Sequence, residues 1–243
     1  MNNESERPSL ITLKEFTTEF WDQLTNLESK VFRSLRHLVS RPGLLTNSYL
    51  SGDRESYVRP LRLFIVVNVI FFFLGSHLQV FKNNTGSYFV GPFGGYAKST
   101  VKRQLSKTQL SSEIYIERLN TEIRSRAGSL VFVAIPLFAA FLKLGWRQRH
   151  YVEHLVFSLH FTTAFLVLIL LTGLLMLLHP RAILLMPIVI IPFLFLSLRR
   201  TYMSRTWVTI LMTLPVIAAF LFSYGVFNLS VFWISIALLE LSI

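Results

Sequence analysis

Five stretches of this chain are long and apolar enough to cross a lipid bilayer, which limits its folds more than any other feature. A hydrocarbon core about 30 Å thick asks for about 17–25 apolar residues of α-helix. Residues 61–80, 128–144, 155–178, 182–198 and 207–238 meet that requirement. In lipid every backbone N–H and C=O must be bonded within the chain, so such runs fold as helices. The expected fold is all-α: a polytopic integral membrane protein with about five transmembrane helices. The last run reads on toward Ile243, longer than one span needs. A break at SYGVFNLS, near Gly225, would leave about a dozen residues behind it, too few for another crossing. One long helix that tilts or protrudes is therefore favoured.

Composition agrees. Hydrophobic types make up 52% of the 243 residues and charged types 15%, apolar for a soluble domain and ordinary for a polytopic one. The 24 Lys and Arg outnumber the 13 Asp and Glu. In a soluble protein that excess would raise nucleic acid. Here the bases gather beside the apolar runs, and no basic–aromatic pattern of single-strand binders is present, so nucleic acid is not an expected partner. The absence of cysteine excludes disulfides, thiolate metal sites and a cysteine nucleophile. No apolar segment of the signal-peptide kind stands in the first 60 residues.

The bases set an orientation. Arg54, Arg59 and Arg62 lead into span one. Lys143, Arg147 and Arg149 separate spans two and three, and Arg199, Arg200 and Arg205 separate spans four and five. With five spans all three clusters share one side. The positive-inside rule makes it cytoplasmic, with the N-terminus there and the C-terminus outside. The loop 81–127 carries eight bases and is still assigned outside, because long segments translocate largely regardless of charge. The chain thus divides into a cytoplasmic amphipathic region, 1–60, and a five-span membrane domain, 61–243. In the first region Phe16, Phe20, Leu24, Leu27, Val31, Leu35 and Leu38 recur at helical spacing, with Lys30, Arg33 and Arg36 off that face. Such a helix packs on the protein's own membrane domain or lies in the headgroup layer. SRPG, residues 40–43, ends it. Residues 100–126 are expected to form an extracytoplasmic helix feeding span two.

The stretch RQRHYVEHLVFSLHFTTAF, 147–165, poses the functional question. His150, Glu153 and His154 spell H-x-x-E-H, the box in which two histidines a turn apart bind zinc beside a glutamate base. A third ligand is needed, and the only later acid is Glu240, assigned to the opposite side. No soluble catalytic domain surrounds the box. Metal use by His150 and His154 stays as an alternative, as does haem between His77 and His179; no cofactor is expected. His160 lies roughly 7–8 Å past Leu155 into the hydrocarbon, at about 1.5 Å per residue, where a polar ring needs a partner. Asn68 and Thr213 enter from the same side to about 10 and 9 Å. An intramembrane polar layer of Asn68, His160 and Thr213 is expected, with Ser158 and Thr162 as further candidates. It serves as interhelical glue, worth about 0.6 kcal/mol per contact, or as a ligand or proton site. Glu153 and His154 would sit above it at the interface. There Arg54, Tyr57, Arg59 and Arg62 either hold anionic lipid headgroups, each base contributing about 1 kcal/mol, or act as topology anchors. Pro136, Pro187, Pro192 and Pro215 interrupt three spans, as in transporters with broken helices, but no inverted repeat is visible.

Two motifs carry a family resemblance. The segment HLVSRPGLLTNSYLSGDRESYVRPLRLFIVVNVIFFFL places Arg41, Pro42, Gly43, Tyr49, Gly52, Arg54, Tyr57, Val58, Pro60 and Arg62 on one pattern. YVEHLVFSLHFTTAFLVL places Glu153, His154, Leu155, Phe157, Leu159 and His160 on another. Together they resemble the bacterial membrane-protein family of unknown function numbered 3667, over most of residues 12–240. The resemblance implies a bacterial inner-membrane protein of several spans and no established reaction. Many members begin with a zinc ribbon of paired cysteines; this chain has no cysteine, so no role tied to that ribbon carries over. The reading that follows is a non-enzymatic protein binding membrane lipids, or a protein partner or second copy of itself, at the cytoplasmic face. A transporter or channel subunit is one alternative. A metal-dependent membrane enzyme using Glu153, His154 and His160 is the other.

Overall fold

The computed structural model describes residues 29–77, 85–90, 93–108, 110–202 and 205–242. Phe16, Phe20, Leu24 and Leu27 of the expected apolar face lie outside the described residues. Among those described the chain is all-α, with no strand. Helix α1 occupies 29–40. It is followed by α2 (Leu44–Leu50), α3 (Pro60–His77), α4 (Thr85–Tyr88), α5 (Gly94–Leu105), α6 (Ser112–Gly145) and α7 (Tyr151–Leu178). A 3-10 turn, Pro180–Leu184, leads into α8 (Leu185–Tyr202), and α9 (Thr206–Ser242) closes the chain.

Four of these elements are long and apolar enough to cross a membrane: α6, α7, the 3-10 turn with α8, and α9. Helix α3 is a shorter apolar helix. Its 18 residues reach about 27 Å at about 1.5 Å each, close to the hydrocarbon thickness. Helix α6 runs without a break from the polar segment after Ser111 into the second apolar run, with Pro136 inside it. Helix α9 passes through Gly225 unbroken for 37 residues. That is about 55 Å, well beyond one crossing. Its excess length packs with the first half of α6 and with α5 in a core that includes Val101, Leu119, Ile123, Phe232 and Ile236.

Between helices in lipid, exclusion of water contributes little, so close packing decides. Rings do much of it. Phe138 of α6, Phe161 and Phe165 of α7, and Phe220, Tyr224 and Phe227 of α9 form a chain with centroids 4.9–6.2 Å apart. Such pairs are worth about 0.5–1.5 kcal/mol each beyond their area. Helix α7 is the enclosed element: every residue from Val156 to Ala164 is buried.

The N-terminal helices fold back onto one end of this bundle. Pro42 and Gly43 make the reversal. Gly43 has φ +78°, and a Cβ there would stand 3.0 Å from the Ser197 carbonyl and 3.1 Å from Arg200 Cβ, so glycine is needed for both the conformation and the approach to α8. The turn lays α2 against α7 and α8. Leu38 and Leu45 enter the core beside Phe157, Leu194 and Leu198, with Val31 and Leu35 packed against it, while Arg33 and Arg36 are exposed. The link 51–59 is pinned to α1. Ser34 Oγ accepts from Val58 N–H at 3.0 Å, and Arg33 donates to the Ser56 carbonyl at 2.6 Å. Pro60 then opens α3, where its missing N–H has no helical partner to lose.

Candidate functional site

One end of the bundle carries most of the charge. The segments 29–62, 143–153 and 199–205 hold thirteen Lys and Arg against three Asp and Glu. They converge because α1 and α2 lie over the start of α7 and the end of α8. Arg200 donates to the Pro42 carbonyl at 2.9 Å, and Asn47 donates to the Arg200 carbonyl at 2.9 Å. Among the described residues the ion pairs are Arg126 with Glu122 and Arg149 with Glu153. Arg54, Arg59 and Arg62 are exposed, and among the described residues none pairs with a carboxylate. The Arg54 guanidinium lies 5.4 Å from the Tyr49 ring centroid, and Tyr57 Oη bonds His37 Nδ1 at 3.0 Å. Asp53 is used locally: its Oδ1 accepts from Ser56 N–H at 3.1 Å. Hydrogen bonding from Ser56, side chain first, holds that carboxyl below the usual range. The loop that displays the arginines is therefore ordered by its own bonds.

Below this face the H-x-x-E-H letters have other duties. His150 stands before α7 with extended backbone and is exposed. Glu153 caps the helix, with Oε1 accepting from His150 N–H at 2.9 Å and Oε2 from Arg149 at 2.8 Å. An acid in the first turn that meets free N–H groups is favoured by the helix dipole. His154 is fully buried. Its Nδ1 bonds Tyr202 Oη at 2.8 Å, and Tyr202 stacks on Trp146 at 4.2 Å. A zinc box needs both imidazoles turned to one ion and a free carboxylate beside them. Here one imidazole is outside, one is inside, and the carboxylate is engaged. Among the described residues no three of His, Asp and Glu come together.

Asn68, His160 and Thr213 are all buried, but no hydrogen bond joins them. Asn68 Nδ2 donates to the Gly128 carbonyl of α6 at 2.9 Å. Thr213 donates to Thr209 within its own helix at 2.7 Å. His160 Nδ1 bonds Thr46 Oγ1, from α2, at 3.1 Å. Thr162 is buried, as is Ser158. At the other end of α7, His179 caps the 3-10 turn through a 3.3 Å bond from Arg181 N–H; the side chain of His77 lies outside the described residues.

Sequence reading missed Thr46, Tyr202, Trp146 and Ser197. Thr46 sits in LLTNSYL, which reads as an interfacial stretch. Only the neighbouring Pro42–Gly43 reversal hinted that this stretch turns back into the bundle. Tyr202 follows two arginines and reads as a membrane-edge aromatic. The site as a whole offers exposed guanidinium groups on an ordered loop, above a buried layer of imidazole and hydroxyl groups. No curated protein and no solved structure matches the chain. Residues 28–72, a stretch that includes α1, α2, the loop after them and most of α3, match the family model described as Protein of unknown function (DUF3667).

Proposed function

We propose that this is a non-enzymatic, multi-pass protein of the bacterial inner membrane that binds anionic lipid headgroups through the face built by α1, α2 and the 51–62 segment. The face lies on the cytoplasmic side by the positive-inside rule, with the C-terminus across the membrane. One observation carries the reading: Arg54, Arg59 and Arg62 are exposed where the chain enters α3, without a carboxylate partner among the described residues. Unpaired cations at that level attract phosphate-bearing headgroups, and a guanidinium binds phosphate through paired N–H donors. The loop is ordered beforehand by Ser34, Arg33 and Asp53, which lowers the entropy lost on binding. Glu153, at the start of α7, is held by Arg149 and His150, which supports a helix-capping role for it.

The test is the lipid that survives purification in mild detergent. Anionic lipid retained by the native chain and lost from Arg54→Gln/Arg59→Gln/Arg62→Gln supports the reading. Equal retention by both refutes it. Loss of a co-purifying protein, with lipid unchanged, transfers the face to a protein partner.

A further inference from the structure

Helices α7 and α8 carry five buried polar side chains that have a polar atom without a hydrogen-bond partner: His154 Nε2, Ser158 Oγ and His160 Nε2 on α7, Ser197 Oγ and Thr201 Oγ1 on α8. None is more than 3% exposed. A helical hydroxyl in this position ordinarily donates to the carbonyl four residues back, as Thr163, Thr213 and Ser223 do here. The hydroxyls of Ser158, Ser197 and Thr201 do not. Inside a membrane such groups carry a heavy penalty unless something else meets them.

Two of the five, His160 and Ser197, line a single small cavity, with Arg41, Thr46 of α2 and the rings of Phe157, Phe161 and Phe193 as further walls. It gives about 10 Å³ of room to the centre of a water molecule, which is space for one water. No carboxylate stands in the wall, so a metal ion finds no counter-charge. Water both donates and accepts, so it serves His160 in either tautomer.

We propose that this cavity is a water site: one molecule bridges His160 Nε2 and Ser197 Oγ. With Nδ1 already bonded to Thr46, the imidazole is then satisfied at both nitrogens, and α2, α7 and α8 share one network. Helix α2 is the cover of that site. Arg41, exposed at the basic face, also lines the site, which is partly open to that face.

Two measurements decide it. The first is the melting temperature of Ser197→Ala. Removing a hydroxyl that has no partner relieves a burden and raises the melting temperature. Removing one bonded to a water lowers it, by about 2–4 °C for a bond of ordinary strength in a chain of this size. A fall supports the proposal; no change or a rise overturns it. The second uses the unaltered protein, so it stands even if the variant does not fold. Radiolytic footprinting modifies side chains beside bound water. Labelling of Phe157 or Phe161 is expected, and a complete absence of modification there overturns the proposal.

Discussion

Gly43→Ala separates the contribution of the docked N-terminal helices, α1 and α2, from that of the bundle. Gly43 has φ +78°, and an L-residue in the left-handed region costs about 1–2 kcal/mol. The added methyl also meets α8: its nearest neighbours are the Ser197 carbonyl oxygen at 3.0 Å, Arg200 Cβ at 3.1 Å and Ser197 Cα at 3.3 Å. Two of the three are backbone atoms of a helix and cannot swing away. Relief requires α2 to shift, and overpacking of this kind costs about 1–3 kcal/mol. The total is roughly 2–5 kcal/mol. Gly52 is the internal control. Its φ is +99°, and nothing lies within 4 Å of a Cβ built there, so Gly52→Ala carries the backbone cost alone. Thermal unfolding in detergent, followed by tryptophan fluorescence, compares the two. Gly43→Ala is expected to melt several degrees below Gly52→Ala, at about 2–4 °C per kcal/mol. Equal melting of the two variants would refute the docking of α2 on α8.

Tyr202→Phe leaves His154 Nδ1 buried without its partner and should lower stability by about 1–3 kcal/mol, read in the same unfolding assay; an unchanged melting temperature would contradict the bond. Metal analysis of untagged protein should give well below one zinc, iron, copper or manganese per chain, with His154→Ala no different. Near-stoichiometric metal lost in that variant would contradict the capping role of Glu153. The absence of cysteine makes single-cysteine labelling clean. A membrane-impermeant thiol reagent applied to spheroplasts should reach a cysteine at Lys98 and spare one at Arg205; the reverse pattern would invert the assigned orientation.

The membrane helices were legible because apolar length has few competing explanations. The runs around Leu130, Val167 and Ile190 are too long and too free of charge for anything but helices within lipid. Helix α9 was legible as well, since the residues after SYGVFNLS are too few to turn and cross again. The site was legible only in part. His160 stood out as a polar ring inside an apolar run, and the need for a partner follows from the cost of burial. The partner's identity does not follow, because depth along a helix says nothing of its rotation. Asn68 reaches a comparable depth and turns to Gly128; Thr213 turns to its own backbone. Thr46 comes from a helix of seven residues whose position is set by one glycine turn, a long-range consequence that no local pattern encodes. The H-x-x-E-H letters show the reverse case: correct spacing, with the imidazoles placed on opposite sides of the burial boundary by the helix start at Tyr151.

The central claim is that the exposed arginines of the 51–62 segment hold anionic headgroups, and native mass spectrometry of delipidated protein tests it most directly. Phosphatidylglycerol and phosphatidylcholine would be titrated onto the native chain and onto Arg54→Gln/Arg59→Gln/Arg62→Gln. Three bases at about 1 kcal/mol each correspond to about a 100-fold difference in affinity. The account predicts tight phosphatidylglycerol binding that weakens by that order in the variant, with phosphatidylcholine unaffected. Equal binding of phosphatidylglycerol by both proteins would contradict it.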